Sequence, residues 1–166
     1  MQGVLRMKIV LHVSFLVLIF LSGCAMKQDI TSSETYVITI KNKQIALSDT
    51  GFINQGKDYT NVQIFSAGSV LFNLEMMGNN ICLDGRCMDK LAFNQQFFQD
   101  EHYARLMQEI IAKQPIYEGK NLHQTSNGFE QELEFTNSHL VYKVEGSNLT
   151  FRDTKNGILM RLKPLP

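Results

Sequence analysis

The sequence predicts an α+β fold, a curved antiparallel sheet or unclosed β-barrel with a central amphipathic helix. Three observations carry that prediction. Short runs in which apolar residues alternate with polar ones recur between residues 36 and 162, turn-forming Gly and Asn clusters separate them closely, and one central stretch has helical spacing instead. Short links favour antiparallel neighbours, because parallel pairing needs long crossovers.

The chain opens differently. Arg6 and Lys8 precede an apolar run from Ile9 to Leu21, broken only by His12 and Ser14 and free of Gly and Pro. A basic start followed by about a dozen apolar residues is the pattern of a secretory signal, too short to span a bilayer comfortably as a helix. A start at Met7 instead of Met1 would leave a shorter signal with the same logic. Directly after the run, Leu21-Ser22-Gly23-Cys24 resembles the lipobox of bacterial lipoproteins, in which the cysteine is acylated before cleavage. The resemblance implies a signal peptide over residues 1–23 and a lipidated Cys24 at the mature N-terminus. It also implies an anchor of several acyl chains, which holds a protein on a membrane where one chain binds only marginally. The alternative is an ordinary signal peptide with an incidental cysteine. Ala25 stands where Asp often marks inner-membrane retention in some Gram-negative bacteria, so the expected location is the envelope, at the outer membrane facing the periplasm.

Removing the signal leaves 143 residues, the size of one domain with a real core. The signal holds two of the 16 basic residues and none of the 16 acidic ones, so the remainder has 14 against 16. That balance, with no polybasic patch, gives no reason to expect nucleic acid or electrostatic membrane binding. Residues 24–35 are expected to form the lipidated N-terminus and a polar tether, and residues 36–166 a single globular domain.

Within that domain Tyr36, Ile38 and Ile40 alternate against Val37, Thr39 and Lys41, as in a half-buried strand. Similar runs occur at 62–65, 70–76, 133–135, 140–144, 149–151 and 158–162. Ala67-Gly68, Gly78-Asn79, Asn127-Gly128, Gly146-Ser147 and Asn156-Gly157 separate runs of this kind. Tyr103, Leu106, Met107, Ile110 and Ile111 instead share one helical face, with Asp100 as the expected N-cap and Pro115 ending the helix after Lys113 or Gln114. Leu91, Phe93, Phe97 and Phe98 suggest a shorter helix just before it.

Cys82-Leu83-Asp84-Gly85-Arg86-Cys87 is the most informative local motif. Asp84-Gly85 suits a two-residue type I′ turn, which sets Leu83 opposite Arg86 and Cys82 opposite Cys87. The cysteines then form a non-hydrogen-bonded pair at about the separation a disulfide needs, in an oxidising compartment. The rivals are two reduced core cysteines and a redox or metal site. A redox pair usually shows C-x-x-C, and zinc would need two further ligands that do not cluster nearby.

Little else points to chemistry. His102, His123 and His139 share no metal-binding spacing and read as surface or satisfied histidines. Ser66-Ala67-Gly68-Ser69 is not a nucleophile elbow, and there is no phosphate-cradling glycine loop. The expectation is a non-enzymatic chain with no cofactor and no metal. Eleven Phe and eight Met, without Trp, supply adaptable apolar surface.

Strands, a central amphipathic helix ended by a proline, and further strands across residues 36–162 resemble the LolA/LolB family of lipoprotein carriers and receptors, with Tyr103-Ala104-Arg105-Leu106-Met107 through Pro115 as the most suggestive stretch. That family has an unclosed antiparallel barrel capped by helices and binds lipoprotein acyl chains. The resemblance implies a ligand cavity, for which Phe65, Phe72, Leu74, Tyr103, Met107 and Ile111 are the candidate linings; ordinary core packing is the alternative for each. The cysteine hairpin and the lack of tryptophan depart from the family. Two functions follow as expectations: binding of lipid or lipoprotein acyl chains, or an assembly or structural role through an envelope protein partner bound at a sheet edge or exposed patch.

Overall fold

Alternation along the first strand works as its sequence predicts: Tyr36, Ile38 and Ile40 are buried, while Val37 and Thr39 between them are half-buried. The computed structural model describes residues 29–165, so the export segment and Cys24 lie outside the described residues. In order, the elements are β1 (Ile30–Lys41), β2 (Ala46–Gly56), β3 (Tyr59–Ser66), β4 (Ser69–Met77), β5 (Asn80–Leu83) and β6 (Arg86–Asp89). Then come α1 (Lys90–Phe98), α2 (Leu106–Ile111), β7 (Leu122–Thr125), β8 (Gly128–Glu134), β9 (His139–Glu145), β10 (Asn148–Asp153) and β11 (Ile158–Pro164).

All eleven strands join one antiparallel sheet in the order β6-β5-β4-β3-β2-β1-β11-β10-β9-β8-β7. Two meanders therefore run outward from the central β1/β11 pair, where Ile38 faces Leu162 and Ile40 faces Met160. The sheet is unclosed, and each edge strand has only four residues, a length that limits edge-to-edge association.

Curvature follows from where α1 reaches. The helix packs against β5 and β6, yet Phe98 at its end meets Phe151 of β10 with ring centroids 5.6 Å apart. In a flat sheet β5 and β10 would be six strand spacings apart, about 29 Å, whereas nine helical residues span about 14 Å. The sheet must wrap around the helices. Gly51, in the middle of β2, permits part of this wrapping, because a Cβ there would run into the Gln63 carbonyl and lie 2.6 Å from Ile38 Cδ1.

Two expectations change. The tether ends earlier than residue 35, because Ile30–Thr35 already pair with β2, with Thr35 opposite Phe52 and Ile30 opposite Gly56. Hydroxyls support this polar ladder: Thr31 Oγ1 donates to the Gln55 carbonyl at 3.0 Å and Ser33 Oγ to Asn54 Oδ1 at 2.7 Å. The central helix is also shorter. Asp100 Oδ1 accepts only from the Glu101 amide beside it, and α2 begins at Leu106. Asn94 Nδ2 donates to the carbonyls of Tyr103 and Ala104, at 2.7 and 3.3 Å, and the Tyr103 carbonyl also accepts from the Leu106 amide at 3.2 Å, a tight turn in place of an α-helical ladder. The side-chain cap belongs instead to α1, where Asp89 Oδ1 accepts from the amides of Leu91 and Ala92. After Ile111 the chain turns at Lys113, whose positive φ of 56° lets the Gln114 amide donate to the Glu109 carbonyl.

Candidate functional site

The six candidate cavity residues divide into three groups. Phe72, Leu74, Met107 and Ile111 are buried in one continuous core, where α2 lies against the concave face of the sheet. Phe65 is on the opposite face: its ring packs edge-on against Phe52, which is 37% exposed, at 5.5 Å. Alternation puts Val62 and Ile64 inside and leaves Phe65 outside, next to a register shift in the β3/β4 pairing. Tyr103 alone of the six lines a cleft described below.

Few polar ties run from the helices themselves to the sheet, though Lys113, just past α2, donates to Tyr36 Oη at 2.6 Å and pairs with Glu34 at 3.7 Å on β1. Asn42 Nδ2 donates to the Phe97 carbonyl at 3.3 Å and Tyr142 Oη to the Ile110 carbonyl at 3.4 Å. Where α1 meets the ends of the first hairpins, Ile45, Leu83, Met88, Phe93 and Phe97 line a mostly apolar crevice of about 20 Å³.

A larger cleft, about 290 Å³, opens at the other side of the helical cover. Its lining comes from two loops: Asp100, Glu101, His102 and Tyr103 before α2, and Phe135, Thr136, Asn137 and Ser138 between β8 and β9, with Tyr117 between them. The aromatic rings are contiguous. Tyr117 lies 4.8 Å from Tyr103 and 4.9 Å from Phe135, and His102 packs edge-on against Phe98 at 5.4 Å. Tyr103 Oη donates to Glu109 and accepts from the Tyr117 amide at 3.0 Å, which fixes the Tyr103 ring against the Tyr117 backbone. Glu109 in turn pairs with Arg105 at 3.3 Å.

His102 is the unusual member. It is 7% exposed, and burial pushes its pKa below the ordinary 6.5 against the opposing influence of Asp100 and Asp153. Burial pushes the Tyr117 phenol up to about 12, helped by the same two carboxylates, so that hydroxyl keeps its proton. Tyr117 Oη and His102 Nδ1 are 2.6 Å apart. In either tautomer His102 Nε2 is left buried without a hydrogen-bond partner, and so is the Oγ of Ser138, which is 0% exposed. Native interiors seldom leave such atoms unsatisfied. The third unpartnered atom among the described residues, Asn94 Oδ1, belongs to the side chain that ties the 103–104 loop.

The other sequence motifs fall elsewhere. Cys82 and Cys87 form a disulfide across the β5/β6 hairpin, Cα atoms 3.9 Å apart, with Asp84 and Gly85 both at positive φ as the type I′ turn requires. His139 bridges Glu132 and Thr154, each at 2.8 Å, and His123 is exposed on β7. Among the described residues no group of three or more His, Cys, Asp or Glu could hold a metal ion, and no helix is long and apolar enough to cross a membrane. No protein-family model and no curated protein matches the sequence.

Sequence reading missed the cleft because its parts come from separated segments. The sequence pattern points to a surface or satisfied His102, whereas the side chain is buried with only Nδ1 partnered. Phe135 and Ser138 sit among turn residues, and nothing in their spacing links them to Tyr117 or His102.

Proposed function

We propose that this chain is a membrane-anchored, non-enzymatic lipoprotein of the bacterial envelope that binds a lipid or lipoprotein acyl chain under its helical cover. The observation that carries the reading is the apolar concave face of an unclosed sheet, covered by two short helices with few polar ties to it. A flexible apolar chain can replace such a cover at little polar cost, since the groups exchanged on both sides are apolar. The proposed anchor is lipidated Cys24, and the strand beginning at Ile30 leaves only a few residues between membrane and body.

Cys24→Ala tests both halves. The variant should leave the membrane fraction without detergent, and the released protein should carry lipid in native mass spectrometry or bind a fluorescent fatty acid. Continued detergent dependence would defeat the anchor, and a lipid-free protein that ignores the fatty acid would defeat the ligand. One observation favours the second reading, an assembly or structural lipoprotein that binds a protein partner. On the outer face Phe52 and Phe65 lie near Val70 and Leu71, which are 47% and 50% exposed. Stoichiometric capture of one envelope protein that Phe52→Ser abolishes would support it.

A further inference from the structure

We infer that the cleft between the 100–103 and 135–138 loops is a binding site for a neutral polyhydroxylated ligand, a sugar ring, seated on Tyr117 and Phe135 and hydrogen-bonded to His102 and Ser138. The inference is independent of the acyl-chain reading, whose site is the concave face. Three observations carry it.

The first is shape. At about 290 Å³ the cleft lies at the small end of ligand sites and suits one ring rather than an extended chain. Its aromatic floor, Tyr103-Tyr117-Phe135, offers amphipathic surface of the kind that packs against the C–H face of a sugar.

The second is the pair of unpartnered atoms. His102 Nε2 and Ser138 Oγ are buried, polar and uncharged in a cleft that otherwise satisfies its members. Leaving such a group without a partner costs free energy, so a ligand that supplies the missing partner recovers what an apolar ligand does not. Serine both donates and accepts, and neutral imidazole does one or the other according to tautomer. Hydroxyl groups meet either requirement. A ligand reaches these atoms only if the rim gives, and Glu101, Thr136 and Asn137 on that rim are exposed.

The third is charge. Asp100 and Glu101 line the cleft, its lining holds no Lys or Arg although Lys120 Nζ lies 5.9 Å from the Phe135 ring centre, and burial disfavours a charged His102. Lys155 is already engaged by the Phe135 carbonyl at 2.7 Å and by Glu134. An anion such as phosphate would meet the carboxylates of Asp100 and Glu101 in the lining, with Lys120 and Lys155 only beside it. A quaternary ammonium group would suit the rings and carboxylates but neither donates nor accepts a hydrogen bond, so choline could meet His102 or Ser138 only through its single hydroxyl. A neutral polyol uses all three features, with the rim carboxylates accepting from its hydroxyls.

The test titrates the full chain, carrying Cys24→Ala for solubility, with methyl glucoside, methyl N-acetylglucosaminide, choline and inorganic phosphate, read by NMR. At least one glycoside should give saturable shifts of the His102 ring signals, and choline and phosphate should give none. Ser138→Ala should not lower the melting temperature, because Oγ holds nothing in the fold and its unmet hydrogen bond is removed, and should weaken glycoside binding about tenfold. Absence of any saturable glycoside shift up to about 50 mM, beyond the millimolar Kd of a single ring, would overturn the inference. Undiminished binding by Ser138→Ala would do the same, as would tighter binding of choline or phosphate in the cleft.

Discussion

Among the places where this molecule buries polar side chains, two treat them oppositely. Gln131, on the concave face of β8 and 1% exposed, accepts from the Ile116 amide at 2.8 Å and donates to the carbonyls of Ile116 and Lys120 at 2.9 and 2.8 Å. It pins the segment after α2 to the sheet with its amide group used on both sides. His102 and Ser138 are also buried, yet each keeps an atom with no partner. The first arrangement is what folding stability selects. The second is a cost that the fold tolerates, and such departures mark places where another requirement competes with stability.

The sharpest way to test that division is to damage the apolar side. Met107 is fully buried between α2 and the sheet. Met107→Ala removes packed atoms and leaves a cavity, so it should cost about 2–5 kcal/mol in urea unfolding. A cost below about 1 kcal/mol would mean that α2 is a loosely held cover and not part of the core. A similar loss in Ser138→Ala would erase the contrast from the other side.

Gly51→Ala comes next and tests the curvature that brings the two regions together. The added methyl collides with the Gln63 carbonyl and crowds Ile38 Cδ1, so β2 must shift away from β3 or from the core. A loss of about 1–3 kcal/mol is expected, the range of an overpacked interior. Thermal melting that is unchanged from wild type would show that the wrapping does not depend on this position.

Legibility from sequence followed the same division. β1 could be read because its inner residues are Tyr36, Ile38 and Ile40, and a period of two fixes the face. The cysteine hairpin could be read because Asp84-Gly85 determines the turn and the turn determines the register. β2 could not. Its inward positions include Asp49 and Gly51, while the large Phe52 points out, so the hydrophobic alternation is absent where the neighbours fill the space. Phe65 was placed on the wrong face because Ile64-Phe65 reads as one apolar run, although only one of two adjacent strand residues can face the core. The short helices were blurred by Asn94, whose bonds to the 103–104 carbonyls are tertiary and leave no periodic trace. The cleft is of the same kind: its geometry exists only after β8, β9 and the helical segment have packed.

The smallest expected effect concerns acid. Burial holds the His102 imidazole below its ordinary 6.5, partly opposed by Asp100 and Asp153, so the folded chain takes up this proton less readily than the unfolded chain. Well above 6.5 both states are neutral and the site costs the fold nothing in protonation. As pH falls below that value the unfolded chain protonates first, which draws the equilibrium towards unfolding. The loss levels off once pH passes the lower folded value. The urea midpoint should therefore drop between about pH 7 and about pH 5 by more in the wild-type chain than in His102→Gln, which removes the titration while keeping a polar group. The other histidines serve as an internal control, because His139 and His123 remain in both proteins. An equal drop in the two would mean that His102 charges in the folded chain as readily as in the unfolded one, and burial would then not be what keeps the cleft free of positive charge as the pH falls.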